Sequence, residues 1–191
     1  MTNTGKLWES AATAALLALA VSPALAQEQT PADNIEARAG NLRILHVWTT
    51  DPDGFRERFA RPDNPELAVS LTAERNQPIR QFILYANCQR DPDDHCWLTA
   101  KVNITAPDGT PYGEPLAFDA LPLGPAVPPG RIGMAPGSIA LVVEDGEQLG
   151  RYRVELAVTD EIAVRTANSV VHLEIVEQGT GVQPATGTGA S

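Results

Sequence analysis

Histidine, cysteine and clustered carboxylates are the residue types in this chain that could do chemistry. They are densest in Cys88-Gln89-Arg90-Asp91-Pro92-Asp93-Asp94-His95-Cys96. Oxygen and imidazole ligands share that short stretch, which is the raw material of a cation site. The spacing fits neither common template: zinc takes four ligands at characteristic intervals, and calcium loops use many oxygens with a glycine at the sharp turn. No metal is expected there. The two cysteines end one apolar run and begin the next, with turn residues between them, so a hairpin would bring the sulfurs together. In an oxidising compartment Cys88 and Cys96 should form a disulfide that fixes the hairpin register. On the chain-entropy model such a crosslink is worth about 2–3 kcal/mol.

The histidines are His46, His95 and His172. No serine sits in a Gly-x-Ser-x-Gly elbow; Ser138 follows Pro136-Gly137, but nothing pairs it with a base. His172 and Glu174 fall on one face of an apolar strand, the relation of a base and its orienter. An ordinary solvated sheet face produces the same pair, and that is the reading taken. A phosphate loop, a dinucleotide fingerprint and a metalloprotease helix motif are all absent, so no cofactor is expected. Pairing any two of the many surface acids as acid and base has no basis in spacing. The chain is expected not to be an enzyme.

The formal net charge of -10 repels phosphate backbones and anionic headgroups, so nucleic acid is not an expected partner. Lys6 is followed by an uncharged apolar run over 11–21, then Ser22-Pro23 and Ala24-Leu25-Ala26, the small-x-small pattern a signal peptidase reads. Residues 1–26 are therefore expected to be a cleaved leader. The apolar run is about half of the roughly 20 residues that span a bilayer, so the mature chain is expected in the periplasm or the medium, without membrane insertion. Residues 27–40 are polar and aperiodic, and 179–191 are Gly, Thr, Pro and Ala with little apolar bulk; both are expected to be disordered. One domain, 41–178, remains, large enough for a core without metals.

The elements that would hold any site are mostly strands. Residues 41–50 are rich in β formers but apolar on both faces, which leaves the inward face open. Asp51-Pro52-Asp53-Gly54 turns the chain into a short helix, capped by Asp53, whose Phe55 and Phe59 would cover an end of the sandwich; Pro62-Asp63-Asn64-Pro65 stops it. Leu67, Val69 and Leu71 alternate with polar neighbours, and 79–88 places Phe82, Leu84, Ala86 and Cys88 on one side. Leu98, Ala100, Val102 and Ile104 point in, with Trp97, Thr99, Lys101, Asn103 and Thr105 out. A turn at 106–109 leads to a short edge strand over 116–121. Residues 138–143 form another strand, and 150–160 puts Tyr152, Val154, Leu156 and Val158 inward in a Gly-x-Tyr strand. In immunoglobulin-like sandwiches a tyrosine so placed bonds its hydroxyl to backbone just upstream. The last strand covers 168–177, with Val171, Leu173 and Ile175 inward. About seven or eight short strands separated by turns give an all-β, antiparallel sandwich with one short helix near its N-terminal end.

Between them lies a Pro- and Gly-rich stretch, 122–137, at a proline density no central strand tolerates. It is expected to be a long loop and the first place to look for a binding surface. Leu123, Val127, Arg131, Ile132 and Met134 within it, with Trp97 and Tyr112 nearby, are the candidate partner contacts, since aromatic and Arg residues often anchor interfaces.

The second half, from Val102-Asn103-Ile104-Thr105-Ala106-Pro107-Asp108-Gly109-Thr110-Pro111-Tyr112 through Gly150-Arg151-Tyr152-Arg153-Val154 and Val158-Thr159-Asp160 to the final strand, resembles bacterial immunoglobulin-like domains. It is similar to macroglobulin-type sandwich domains, in which a strand ending in Pro-Asp-Gly and a later Gly-x-Tyr-x-Val strand recur. The likeness covers residues 67–177. The thioester motif of complete macroglobulins is missing, so protease trapping is not implied. The mature chain also resembles small exported bacterial proteins of unassigned activity, with a Phe-x-x-x-Phe segment before the sandwich and a cysteine pair in a hairpin. The function expected is a non-catalytic exported module that binds an envelope or secreted protein. The alternatives are a small-ligand, glycan or cation-binding protein with the acidic hairpin as one wall, and, third, a hydrolase using His172 or His95.

Overall fold

The structure, a computed structural model, describes residues 33–62 and 66–179. The expected leader, the Asp63-Asn64-Pro65 helix stop and nearly all of the expected C-terminal tail lie outside the described residues. Within them the chain is an all-β sandwich of two sheets. Its strands are β1 (Glu36–Ala39), β2 (Leu42–Thr49), β3 (Thr72–Glu74), β4 (Ile79–Ala86), β5 (His95–Thr105), β6 (Leu116–Pro125), β7 (Gly133–Met134), β8 (Ala140–Leu141), β9 (Gly150–Asp160) and β10 (Arg165–Val176). One sheet runs β1-β2-β4-β7, with β8 also on β4; the other runs β3-β10-β9-β5-β6. Neighbouring strands are antiparallel except β3, which lies parallel to β10. The count exceeds the seven or eight expected through β1, in the polar stretch 27–40, and β7, a two-residue piece within 122–137 too short to leave a periodic signal.

Strand β9 is the centre of the second sheet. Its alternation survives intact: Tyr152, Val154, Leu156 and Val158 are buried, and the Tyr152 hydroxyl donates to the Gln148 carbonyl at 2.7 Å. The inward faces of β5 and β10 also follow the expected register, with Leu98, Ala100 and Val102 opposite Asp160, Val158 and Leu156.

The first sheet is buried on both faces, which explains why 41–50 shows no polar side. Ile44, His46 and Trp48 face the main core, while Val47, Phe82 and Leu84 form a second cluster beneath the helix. That helix, α1 (Pro52–Phe59), is capped by Asp51, whose carboxylate accepts the Gly54 N–H at 3.0 Å, not by Asp53. Proline at the first helical position sets the cap two residues earlier than expected. Phe55 is fully buried and stacks on Phe82, centroids 4.7 Å apart at 5°. The helix thus covers a sheet face and not an end of the sandwich.

Other elements differ from their sequence pattern. Residues 66–70 are irregular, held by Ser70 N–H to the Trp48 carbonyl at 2.8 Å, and only Thr72–Glu74 reaches β10. The stretch expected as disordered over 27–40 includes β1: Glu36–Ala39 pair with Leu42–Leu45, and the Asn34 N–H donates to the Val170 carbonyl at 2.8 Å. Polar composition hid that strand, because backbone pairing and Asp33, Asn34 and Glu36 side-chain contacts hold it more than apolar burial does. The expected 122–137 loop is likewise partly ordered in sheets, since β6 continues to Pro125 and β7 begins at Gly133. Proline is admitted there because β6 is an edge strand with two bulges opposite Cys96–Thr99. Its free side is met once, by the Gly137 N–H on the Ala120 carbonyl at 3.0 Å.

Candidate functional site

The three histidines separate into distinct roles. His46 is fully buried; its Nε2 accepts the Trp48 indole N–H at 2.9 Å and its Nδ1 lies 3.1 Å from Ser169 Oγ. The indole can only donate, so Nε2 carries no proton and Nδ1 donates to Ser169. Ser169 Oγ in turn donates its hydrogen bond to the Asn34 carbonyl at 2.5 Å. Burial pushes the imidazole down to about 3. A base with Nε2 occupied and a serine already donating elsewhere makes no nucleophile pair; the network instead ties β2 and β10 to the N-terminal strap.

His172 is not solvated. Its backbone N–H and Nδ1 lie 2.9 and 2.7 Å from Asp33 Oδ1, so the imidazole sits under the same strap, 8% exposed. Asp33, and not the neighbouring Glu174, holds it. Ser138 accepts from Arg80 at 3.1 Å.

The acidic hairpin brings Asp91, Asp93 and His95 within 4.8 Å of one another. Asp91 is occupied as a loop clamp: its Oδ1 accepts the Asp93 and His95 N–H groups at 3.0 and 2.8 Å. Those bonds, the His95 one first, hold its carboxyl below the ordinary range. Asp94 turns away to Arg90. These contacts give Asp91 and Asp94 roles in the turn itself.

A different surface emerges at this end of the sandwich. The expected disulfide is present, Cys88 to Cys96, with Cα atoms 6.2 Å apart and both residues buried. Four connections converge around it: the β1–β2 turn at Gly40 and Asn41, residues 87–90 leaving β4, the β9–β10 turn at 161–164, and residues 126–130 after β6. Asp160, 1% exposed, binds two of them together by accepting the N–H groups of Gln89, Ile162 and Ala163 at 2.6, 3.2 and 3.0 Å. Arg90 fastens a third, residues 126–130, with Nη2 donating to the Val127 carbonyl at 2.5 Å, beside the Ala126 N–H to Asp94 carbonyl bond at 3.0 Å.

Over this floor lie three concavities, of about 370, 500 and 80 Å³, all lined in part by Asn87. They share lining residues and together outline a trough from Arg165 and Ile162, past Asn41, to Val127 and Pro129. Asn87 has φ 58°, a left-handed conformation that asparagine tolerates better than most residues. The side chains of Asn41, Asn87 and Arg165 make no hydrogen bond or ion pair with the described residues.

No family model matches the chain, and no curated protein does. Among solved structures it is similar to the C-terminal domain of wzt, at 11% identity over 81% of this chain and 92% of that one, TM-score 0.43. The CARDB domain of the PF1109 protein from Pyrococcus furiosus, in complex with di-metal ions, shares 15% identity over 57% of this chain and 87% of that chain, TM-score 0.35. A Niemann-Pick type C2 protein from Japanese carpenter ant shares 10% over 75% and 95%, TM-score 0.34. At these TM-scores none of them bears on what the chain does.

The residues expected to contact a partner do not form one patch. Tyr112 is committed to the opposite end of the sandwich, its hydroxyl bonded to the Val142 carbonyl and Glu147 at 3.1 and 3.0 Å. Burial and Glu147 push that phenol well above its ordinary value. Met134 packs against the Phe55–Phe82 cluster and Val127 against the main core. Leu123 (58%), Ile132 (44%) and Trp97 (38%) are exposed, as is Arg131, and Trp97 donates to Asp119 at 3.1 Å. The trough residues Asn41, Asn87 and Arg165 went unread, since an isolated polar residue after a strand looks like any turn; the only signal was asparagine between Ala86 and Cys88, where alternation breaks.

Proposed function

We propose that the protein is a non-catalytic exported module on an immunoglobulin-like frame that binds an envelope or secreted protein through the disulfide end of the sandwich. The observation that carries this reading is the contrast between a locked backbone floor and unpartnered side chains above it: Asn41, Asn87 and Arg165 stand on connections fixed by Cys88–Cys96 and Asp160. Polar groups carried on a rigid backbone bind at a lower ordering cost, since only their side chains must be fixed. The disulfide fits an oxidising compartment, and among the described residues no helix is long and apolar enough to cross a membrane. The Tyr152 hydroxyl bond to upstream backbone and a first strand that leaves one sheet for the other support the immunoglobulin-like reading.

A small-ligand reading shares the same surface, because the larger concavities fall within the volumes that ligand sites occupy. The two separate in one experiment. A photo-crosslinking amino acid at position 87 should give a discrete protein adduct in cells, while one at Lys101, on the outer face of β5, should not. A probe at Ile132 tests the proline-rich stretch alone. Adducts from 132 and none from 87 would move the site to that stretch, and none from either would leave the small-ligand reading.

A further inference from the structure

We infer that the segment bound in this trough is an acidic peptide, read by the Arg165 guanidinium at one end and by side-chain amides beside it; the inference rests on the disulfide end being the binding surface. In a chain of formal charge -10, the trough is rimmed by Arg38, Arg90 and Arg165. The carboxylates nearby are engaged, and so are two of the three guanidiniums, Arg38 on Glu36 and Arg90 on Asp94 and the Val127 carbonyl, which leaves Arg165. Asp160 is buried and accepts three backbone N–H groups. Glu36 is shared between Arg38 and Arg43 at 2.6 and 2.8 Å, and Asp94 holds Arg90 at 2.5 Å. Arg165 has no ion pair among the described residues, and it is exposed. Its guanidinium lies across the β1–β2 turn, where a Cβ on Gly40 would meet Nη1 at 2.0 Å, so glycine leaves it room. A planar fork of donors in that position matches a carboxylate.

The middle of the trough suits a peptide backbone. Asn41 and Asn87 each present one amide acceptor and two donor hydrogens with no partner among the described residues, the complement of a peptide group's N–H and C=O. Asn87 borders all three concavities, between Arg165 on one side and Arg90 on the other. No aromatic side chain lines any of them, which leaves a sugar ring no face to stack on. Acidic-motif recognition by arginine clusters, with backbone groups supplying further bonds, is an established mode of peptide binding.

The test is selection of a displayed random dodecapeptide pool on the immobilised full chain, followed by anisotropy titration of the recovered peptides. Asp and Glu should be enriched about twofold or more over the input pool. Replacing them by Asn and Gln should weaken binding about tenfold, and Arg165→Gln about fivefold, with Lys101→Gln unchanged. Arg165 is exposed and unpaired, so its variant should fold, which a melting curve verifies. Recovered peptides without acidic enrichment, or acidic peptides that bind wild type and Arg165→Gln alike, would overturn the inference. So would binding of oligogalacturonate, but of no peptide, in the same titration. If position 87 still crosslinks a protein while the pool shows no acidic preference, the ligand class is wrong and the binding surface stands. If position 87 crosslinks nothing and no peptide is recovered, both fall.

Discussion

The two ends of this sandwich are built from similar turns and finished in opposite ways. At the end where β5 runs out and β9 begins, the turns are stitched to one another. Arg75 donates to the Glu144 and Glu147 carbonyls at 2.8 and 3.1 Å, Asn76 to Asp145 at 3.1 Å, and Gln148 to Asp108 at 2.8 Å. Tyr112 packs edge-on against Tyr152 and bonds across to Val142 and Glu147. The polar tips of these four residues, Arg75, Asn76, Gln148 and Tyr112, each meet another part of the same chain. At the disulfide end the backbone is tied as firmly, by Cys88–Cys96 and Asp160, but Asn41, Asn87 and Arg165 are left facing the trough. Side chains that a fold does not use for itself are available to a partner, and here they collect at one end.

The comparison implies that the disulfide end is rigid despite its open side chains, and the largest expected effect tests that. Asp160→Ala leaves the Gln89, Ile162 and Ala163 N–H groups, partly buried at the trough floor, without their acceptor. It should cost about 3 kcal/mol, since unsatisfied buried donors cost about 1–3 kcal/mol each and water recovers part of the loss. Denaturant unfolding measures it. A cost under about 1 kcal/mol would mean that the floor is not held by this carboxylate.

The strap over the His46 network gives the next effect, through pH. His46 is held at about 3 in the folded protein, against about 6.5 when unfolded. The unfolded chain therefore binds the proton first, and stability falls as pH drops from about 6.5 towards 3. Between pH 7 and pH 5 the loss from this group should be about 2 kcal/mol, at 1.36 kcal/mol per unit. His46→Gln keeps a donor for Ser169 and an acceptor for Trp48, so it should flatten that slope. An unchanged slope would place the proton uptake elsewhere.

A smaller effect belongs to the stitched end. Tyr152→Phe removes the hydroxyl that donates to Gln148 and keeps the ring against Tyr112. One hydrogen bond is worth about 1 kcal/mol, and hydrogen exchange should show the loosening confined to residues 144–150. Loosening at the disulfide end as well would show that the two ends are coupled.

How much of this the sequence disclosed depended on periodicity. Strands β5, β9 and β10 were legible because one face of each meets the core and the other meets water or a polar neighbour. The disulfide was legible from compartment and hairpin chemistry. Strand β2 could not be oriented because α1 buries its outer face, a fact of tertiary contact. His172 looked solvated because its cover, Asp33, comes from a polar strap far away in sequence. The trough was least visible: Asn41, Asn87 and Arg165 lie on three connections that only the folded chain brings together.

The smallest expected change in stability is the most informative about the comparison. Asn87 has φ 58° and an exposed side chain without a bond among the described residues, so Asn87→Gly removes left-handed strain while making the unfolded chain more flexible, and the two nearly cancel. Asn41→Ala removes only an exposed amide. The double variant should stay within about 0.5 kcal/mol of wild type, as surface substitutions usually do, and should keep its disulfide and melting curve. A protein partner held by these amides should nevertheless be lost from it. The matched change at the stitched end, Gln148→Ala, breaks the bond to Asp108 and should leave partner capture intact. If the double variant unfolds early, its amides belong to the fold after all and the two ends are finished alike. If it is stable and still captures the partner, the trough is an open surface that nothing uses.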